Sequence, residues 1–375
     1  MPFAFQKRLQ DGIRERLSSR KYRYVDNSLA YYSRPCEENM RADKEWFAHF
    51  RHLDARDFMA ANARDIALQI TTKGTLYGLL ADRHSRDTLL LVTLYALLGH
   101  RFVRFPYYGP DTLARRAELR SQCLVEEENA AMREALAADA FGVGCALQRY
   151  RTRMAGEDVD FYGTAEFLYQ VDAFPPYRYA ADGAVVEARP GDHVIDCGAC
   201  YGDTALFFAA SVGADGQVLS FEPHPTISRL YLRNRDLNPQ LAGRMTLVPA
   251  ATGNTAGGTL PFSLCGPGSH LEHTKPGLRR VDIPITTIDA EMERRNWSRV
   301  DFIKMDVEGA ELSTLQGAVQ TLRRFRPRLA VCLYHKPEDF FLIPRFLVEC
   351  DLGYRFYLEH HFMNNWETVL YAEPQ

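Results

Sequence analysis

The chain shows two successive patterns of apolar and polar positions, and the second replaces the first near residue 180. Before that point apolar residues recur at helical spacing, which predicts amphipathic helices. The first is a basic helix on which Phe3, Phe5, Leu9, Ile13 and Leu17 form the apolar stripe. Further helices are predicted over 75–82, 85–95 and 113–138, with Ser85 as an N-cap and Gly99 as a C-cap. We therefore expect residues 1–180 to form a mainly helical N-terminal region that acts as a leader or as a cap over a substrate or partner.

After an extended, proline-stiffened connector, Phe174–Tyr179, short β-rich runs alternate with helical patterns. This alternation predicts a Rossmann-like α/β domain over residues 181–375, with a mostly parallel sheet and a final pair of strands. The predicted strands cover 185–187, 193–196, 218–222, 245–249, 302–306, 329–334, 354–358 and 367–372, and the predicted helices cover 225–238, 310–325 and 337–350.

Composition narrows the class of protein. The chain is 46% hydrophobic and 25% charged, with a net charge of −3, so we expect no general affinity for nucleic acid. No apolar run reaches transmembrane length, and the basic N-terminus lacks the apolar core of a signal peptide. We expect a cytoplasmic protein with reduced cysteines. A peripheral membrane contact by the basic N-terminal helix is one interpretation, although such helices more often dock on their own protein.

The segment from His193 to Thr204 predicts a strand, a tight glycine turn and a helix N-terminus. Such a turn lets a ligand approach the backbone and the free N–H groups of the helix. Cys197 and Cys200 form a C-x-x-C pair inside the turn, which we interpret as small loop fillers, because no second cysteine pair accompanies them. An aspartate at this helix N-terminus disfavours a pyrophosphate and suits a positively charged ligand. The residues assigned to cofactor binding in this segment are Asp196, Gly198, Ala199, Tyr201, Gly202, Asp203 and Thr204.

The next predicted strand ends in Glu222 and Pro223, and a carboxylate at this offset suits the two hydroxyls of an adenosine ribose. Together with Asp203 it favours S-adenosylmethionine, whose ammonium and sulfonium groups are positive, over a nicotinamide dinucleotide. Pro223 and Ala251 complete the predicted cofactor site.

Later strand ends carry further polar residues, and the carboxyl ends of strands in an open α/β sheet form its ligand site. Asp306, Glu308 and His335 are the predicted catalytic residues. The predicted acceptor contacts are Ser269, Lys336, His360, His361 and Glu367, with at most one of the two adjacent histidines facing the acceptor. The glycine-rich loop 265–273 is either a lid that closes over the site or an ordinary connector.

At these residues the chain resembles the FkbM-type S-adenosylmethionine-dependent methyltransferases. The matching stretches are VIDCGACYGDTA (194–205), FEP (221–223), IKMDVEGAE (303–311), YHKPEDFFLIP (334–344) and HHFMNNWETVLYA (360–372). The resemblance implies a class I methyltransferase sheet with an antiparallel last strand. It also implies methyl transfer from S-adenosylmethionine to an oxygen, often a hydroxyl of a sugar, glycoconjugate or secondary metabolite.

For this reaction His335 is the first choice as base, because histidine titrates near neutrality, and Asp306 is the second choice or the group that orients His335. Glu308 is either in the active site or a polar residue of the helix start. Asp306, Glu308 and His335 also have the donor types of a divalent-cation site, but we assign no metal. Two rival functions stay open: a nicotinamide-dependent oxidoreductase on a similar fold, and a non-enzymatic binding module. The sequence leaves the acceptor and the oligomeric state open.

Overall fold

The computed structural model describes residues 2–19, 54–106, 110–125, 147–264, 268–269, 279–362 and 364–375. The C-terminal half of the predicted helix 113–138 and most of the loop 265–273 lie outside these ranges. Among the described residues, none of the helices combines the length and the apolar character needed to cross a bilayer.

Thirteen helices are found in the described part of the chain. They are α1 (Pro2–Ser18), α2 (Ala55–Ala61), α3 (Ala63–Leu79), α4 (Arg83–Leu98), α5 (Pro110–Cys123), α6 (Ala165–Ala173), α7 (Asp203–Val212), α8 (Pro225–Asp236), α9 (Pro239–Ala242), α10 (Ile288–Arg295), α11 (Glu311–Gln316), α12 (Val319–Phe325) and α13 (Asp339–Glu349).

The strands form one large sheet and three small ones. They are β1 (Gln148–Met154), β2 (Glu157–Gly163), β3 (Tyr179–Ala181), β4 (Ala184–Val186), β5 (His193–Cys197), β6 (Gln217–Phe221), β7 (Met245–Val248), β8 (Ala251–Thr252), β9 (Thr259–Ser263), β10 (Arg280–Thr286), β11 (Phe302–Met305), β12 (Arg328–Cys332), β13 (Tyr354–His360) and β14 (Thr368–Pro374).

The large sheet has seven strands in the order β13-β14-β12-β11-β5-β6-β7. The strands from β12 to β7 are parallel neighbours, and β14 lies antiparallel to both β12 and β13. The central strand β11 is buried along its whole length, as expected for a parallel strand covered on both faces. The Rossmann-like fold class is thus confirmed, with an antiparallel last strand.

The N-terminal helix docks on its own protein. Phe5, Leu9 and Ile13 are 0% exposed, and α1 packs mainly on α3 and α4. Arg8 on its polar face donates hydrogen bonds to Tyr77 and Asp87. The apolar stripe is therefore covered except at Phe3, which is 78% exposed, and a membrane contact stays a prediction.

The hairpin β1–β2 was not predicted and packs on the α/β sheet domain. Two buried asparagines of this domain fasten its second strand, because Asn234 and Asn238 accept the backbone N–H groups of Tyr162 and Asp160. The same amides donate back to the carbonyls of those two residues. The proposed boundary near residue 180 stays a prediction, and these contacts cross it.

Two local predictions were wrong. Asp82, rather than Ser85, caps α4, because its carboxylate accepts the N–H of Ser85 at 2.8 Å. The single helix predicted over 310–325 is two helices that meet near Gly317. A Cβ atom at Gly317 would lie 1.9 Å from the carbonyl oxygen of Gly253, so this close approach fixes both the glycine and the break.

Candidate active site

The carboxyl ends of β5, β6, β11 and β12 meet at one edge of the large sheet, and the start of the antiparallel β14 reaches the same edge. This topology brings the glycine turn, Glu222, Asp306, His335 and Glu367 together from five separate parts of the chain. It is the edge at which open α/β sheets hold their ligands.

The glycines of the turn are needed for contacts within the protein. Gly198 has φ +78°, and a Cβ atom there would lie 1.8 Å from the carbonyl oxygen of Asp306. Gly202 has φ +80°, and its Cβ would lie 2.7 Å from the ring of Tyr231. The N–H groups of Gly198 and Ala199 both donate to the carbonyl of Phe221. These two amides are therefore used within the protein.

A buried ion pair lies beneath the turn. Lys304 Nζ is 3.1 Å from Asp196 Oδ1, and the two side chains are 1% and 0% exposed. Lys304 also donates to the carbonyl of Gly198 at 2.6 Å, and Thr204 donates to Asp196 at 3.0 Å. This ion pair holds the turn in shape, and the direct cofactor contacts of Asp196 and Thr204 stay predictions.

Glu222 follows β6 and is 7% exposed. The N–H groups of Cys200 and His224 donate to its two carboxylate oxygens at 3.0 and 2.7 Å, so the carboxylate is fixed in orientation. Burial raises the pKa of Glu222 to about 7, and burial also raises the pKa of Asp203, at the start of α7, to about 6. Each carboxylate oxygen of Glu222 can accept one more hydrogen bond.

The other predicted cofactor residues differ in their surroundings. Tyr201 packs in an apolar cluster with Leu147, Tyr162, Ile227 and Leu230. Ala251 is buried on β8, and Pro223 is partly exposed beside Glu222. The C-x-x-C cysteines are free thiols whose pKa values are raised by burial, as expected for loop fillers.

Asp306 follows β11 and is held by two tyrosines. Tyr177 and Tyr334 donate to its two carboxylate oxygens, each at 2.9 Å. Burial alone would raise the pKa of Asp306, but Lys304, His335 and the two tyrosine hydrogen bonds together keep it below its usual value. Asp306 is therefore an oriented carboxylate at neutral pH.

Three carboxylates surround the imidazole of His335. Its Nδ1 lies 2.9 Å from Glu311, and its Nε2 lies 3.5 Å from both Asp306 and Glu308. Burial would lower the pKa of His335, but these carboxylates raise it to about 11. These carboxylates favour the protonated imidazole in this arrangement, and the role of His335 as the base stays a prediction.

Glu367 lies at the other side of Asp306. Burial and the neighbouring Asp306 raise the pKa of Glu367 to about 8, and Tyr334 Oη lies 3.4 Å from its Oε1. Glu308 and Glu367 both have left-handed backbones, with φ +53° and +62°. Non-glycine residues rarely adopt this conformation, and it concentrates at functional sites.

Neither of the two adjacent histidines has an exposed ring. His360 is 2% exposed, stacks on Phe105 with ring centroids 3.8 Å apart and contacts Thr368 at 2.8 Å. His361 is 4% exposed and contacts the hydroxyl of Tyr371 at 2.7 Å. Both rings pack inside the protein, and burial lowers the pKa of His360 to about 3. The predicted acceptor contacts of the two histidines stay predictions.

Ser269 is buried, within a loop that is otherwise mostly outside the described residues. Lys336 is partly exposed and packs close to Gly309, next to the acidic cluster. Both stay predictions as acceptor contacts.

Sequence reasoning did not assign four side chains that the structure places here: Tyr177, Lys304, Glu311 and Tyr334. Lys304 carried a usable signal, because a lysine in a fully buried strand needs an ionic partner. No such signal marks Tyr177, because this residue lies in the connector and contacts Asp306 only in the folded chain.

Comparison with known proteins agrees with this geometry. Residues 196–356 match the model of the methyltransferase FkbM domain. No curated protein sequence matched the chain.

Among solved structures, a methyltransferase FkbM from Methylobacillus flagellatus KT is 19% identical with a TM-score of 0.49; the match covers 84% of this chain and 60% of that one. An O-methyltransferase from Bacillus cereus in complex with SAH is 11% identical with a TM-score of 0.37, covering 70% of this chain and 97% of that one. A fibrillarin from Aeropyrum pernix with bound S-adenosyl-L-methionine is 11% identical with a TM-score of 0.33, covering 60% and 93%.

This chain therefore spans about three fifths of the length of the Methylobacillus protein. The sequence match runs from Asp196 into β13 and includes Glu222, Asp306 and His335, whereas Tyr177 and Glu367 lie outside it. Residues 196–356 are therefore similar to the methyltransferase FkbM domain.

Proposed function

We propose that this protein transfers the methyl group of S-adenosylmethionine to a hydroxyl oxygen of a sugar, glycoconjugate or secondary metabolite. The observation that carries the proposal is the pairing of two different acidic sites at one sheet edge. Glu222 lies beside the glycine turn, and the cluster of Asp306 and His335 lies at the ends of the neighbouring strands.

Glu222 fits the ribose of the methyl donor. Two backbone N–H groups orient its carboxylate, and the remaining lone pairs can accept two hydroxyl hydrogens. A dinucleotide is less suited, because the carboxylate of Asp203 occupies the first turn of α7, where a pyrophosphate would need positive charge. Asp203 instead favours a cationic group.

The sulfonium of the donor makes its methyl group electrophilic, so the protein mainly has to align the acceptor oxygen and accept its proton. Asp306 is fixed for this task by Tyr177 and Tyr334. We assign the acceptor hydroxyl to the side of Asp306 and Glu367. His335 lies beside Asp306 in the same cluster and stays the other candidate for the base.

The rim of this site suits a sugar. Trp366 directly precedes Glu367, is 58% exposed and lies parallel to Phe362, with ring centroids 6.0 Å apart. An exposed aromatic face beside a group that binds a hydroxyl is the surface on which a sugar ring can stack. Tyr177, from the connector, links the N-terminal region to the same site.

Calorimetric titration with S-adenosylhomocysteine tests the donor site. We expect the wild-type protein to bind it, and Glu222→Ala to weaken binding about 10- to 100-fold, because two charge-assisted hydrogen bonds are lost. Glu293→Ala removes an exposed carboxylate from α10 and is the matched control, with unchanged affinity.

A titration with NAD under the same conditions separates the rival enzyme class. Binding of NAD without binding of S-adenosylhomocysteine would replace this proposal with an oxidoreductase. Equal affinity of the wild type and Glu222→Ala for S-adenosylhomocysteine would remove Glu222 from the ribose site.

A further inference from the structure

The acidic cluster has the ligand geometry of a metal site. One donor atom each from Asp306, Glu311 and His335 lies within 4.8 Å of the other two. Ligands at about 2.0–2.2 Å from one cation lie within roughly that distance of each other. The three residues come from the end of β11, the start of α11 and the segment after β12, so the fold itself brings them together.

Charge balance in this cluster is incomplete. The carboxylates of Asp306, Glu308 and Glu311 lie within 3.5 Å of one imidazole, which can carry a single positive charge. The nearby ammonium of Lys304 is paired with Asp196 at 3.1 Å. Buried carboxylates this close repel each other, and a divalent cation would offset that repulsion better than one proton does.

Buried donor atoms are also left without hydrogen bonds. Glu311 is 0% exposed, and among the described residues its Oε2 has no hydrogen-bond partner. The two ring nitrogens of His335 have none either, since their close contacts with the carboxylates lack hydrogen-bond direction. Buried polar atoms without a partner are rare in folded proteins, and one cation could take Glu311 Oε2 and one of the two ring nitrogens of His335 as ligands.

The surrounding residues hold these donors in place. Glu311 Oε1 accepts the backbone N–H of Val307 at 2.8 Å, and the hydroxyls of Tyr177 and Tyr334 hold Asp306. Hydrogen bonds of this kind orient the ligands of protein metal sites.

We propose that Asp306, Glu311 and His335 bind one divalent transition-metal cation, and that the imidazole of His335 releases its proton to solvent when it coordinates the cation. One imidazole nitrogen with two carboxylates suits Mn²⁺ or Zn²⁺ better than the all-oxygen preference of Mg²⁺ or Ca²⁺. The site differs from the trio Asp306, Glu308 and His335 that the sequence suggested, because Glu311 takes the place of Glu308. Under the proposed function, the cation polarises the acceptor hydroxyl and lowers the pKa of its proton.

Binding of Mn²⁺ to the full chain, stripped of metal with EDTA and dialysed, tests this site. The free Mn²⁺ signal is followed by electron paramagnetic resonance as protein is added. We expect saturable binding of one equivalent. Glu311→Gln keeps the hydrogen bond from Val307 but loses the charge, and it is expected to weaken Mn²⁺ binding on the order of tenfold or more. Glu349→Gln, on an exposed ion pair of α13, is the control and should bind as the wild type does.

Absence of saturable Mn²⁺ binding would overturn the cation site, and so would equal binding by the wild type and Glu311→Gln. S-adenosylhomocysteine titrations of the same samples show that each variant is folded. Binding of S-adenosylhomocysteine without Mn²⁺ leaves the proposed function standing and rejects the cation. Binding of Mn²⁺ without binding of S-adenosylhomocysteine supports the cation site and rejects the proposed function.

Discussion

Asp196 and Lys304 form an ion pair that water does not reach, and the lysine also holds the carbonyl of Gly198. Removing one member of a buried pair leaves the other charge without compensation, and this costs more than the pair itself contributes. The same two side chains lie directly under the glycine turn, so the stability of the fold and the binding of the methyl donor depend on the same residues.

We expect Lys304→Met to lower the free energy of unfolding by about 3–5 kcal/mol, because Asp196 keeps a buried, unpaired carboxylate. Urea unfolding measures the change. Arg345→Met breaks an exposed pair on α13 and should have little effect. Adding Asp196→Asn to Lys304→Met should restore part of the loss, and a Lys304→Met protein as stable as the wild type would show that the pair is not formed.

Donor affinity should depend on pH through Glu222. Burial raises the pKa of this carboxyl to about 7 in the ligand-free protein, whereas hydrogen bonds from a ribose favour the ionised form. Binding below pH 7 must then release a proton, so the affinity for S-adenosylhomocysteine should fall as pH falls, by up to about tenfold per pH unit. Calorimetry between about pH 5.5 and 8.5 measures this, and a profile equally steep in Glu222→Ala would contradict it.

At the scale of elements, the glycine turn is defined by what packs against it. The backbone of Asp306 passes so close to Gly198 that no side chain fits, and Tyr231 of α8 fills the space beside Gly202. The turn between β5 and α7 is therefore coupled to the end of β11. A shift of either of these two segments would therefore displace both the donor side and the acceptor side of the site.

Gly198→Ala should damage both stability and donor binding, because the added methyl meets a carbonyl oxygen at 1.8 Å and the φ of +78° is strained for alanine. Gly213→Ala is the matched control at the C-terminal end of α7. Its φ is +68°, and a Cβ atom there meets nothing within 4 Å, so only the cost of the backbone conformation, about 1–3 kcal/mol, remains. Thermal unfolding and calorimetry compare the two; similar losses in both variants would contradict the close approach.

At the scale of the whole molecule, the parts set by local pattern could be predicted from the sequence. The strands ending at Asp196, Glu222 and Asp306 and the stripe on α1 follow directly from apolar periodicity. Contacts between segments that are distant in the sequence could not be predicted in this way. The break at Gly317 depends on the carbonyl of Gly253, and the burial of His360 depends on Phe105. The altered titration of His335 depends on Glu311, which meets it only in the folded chain.

The central claim is that the donor lies on the Glu222 side of the sheet edge and the acceptor on the Asp306 side. A crystal structure of the full chain with S-adenosylhomocysteine tests it most directly. We predict that both ribose hydroxyls donate to Glu222 and that the sulfur faces the side chains of Asp306, Glu367 and Tyr334. A ligand whose ribose does not contact Glu222, or whose sulfur faces away from Asp306, would contradict the account.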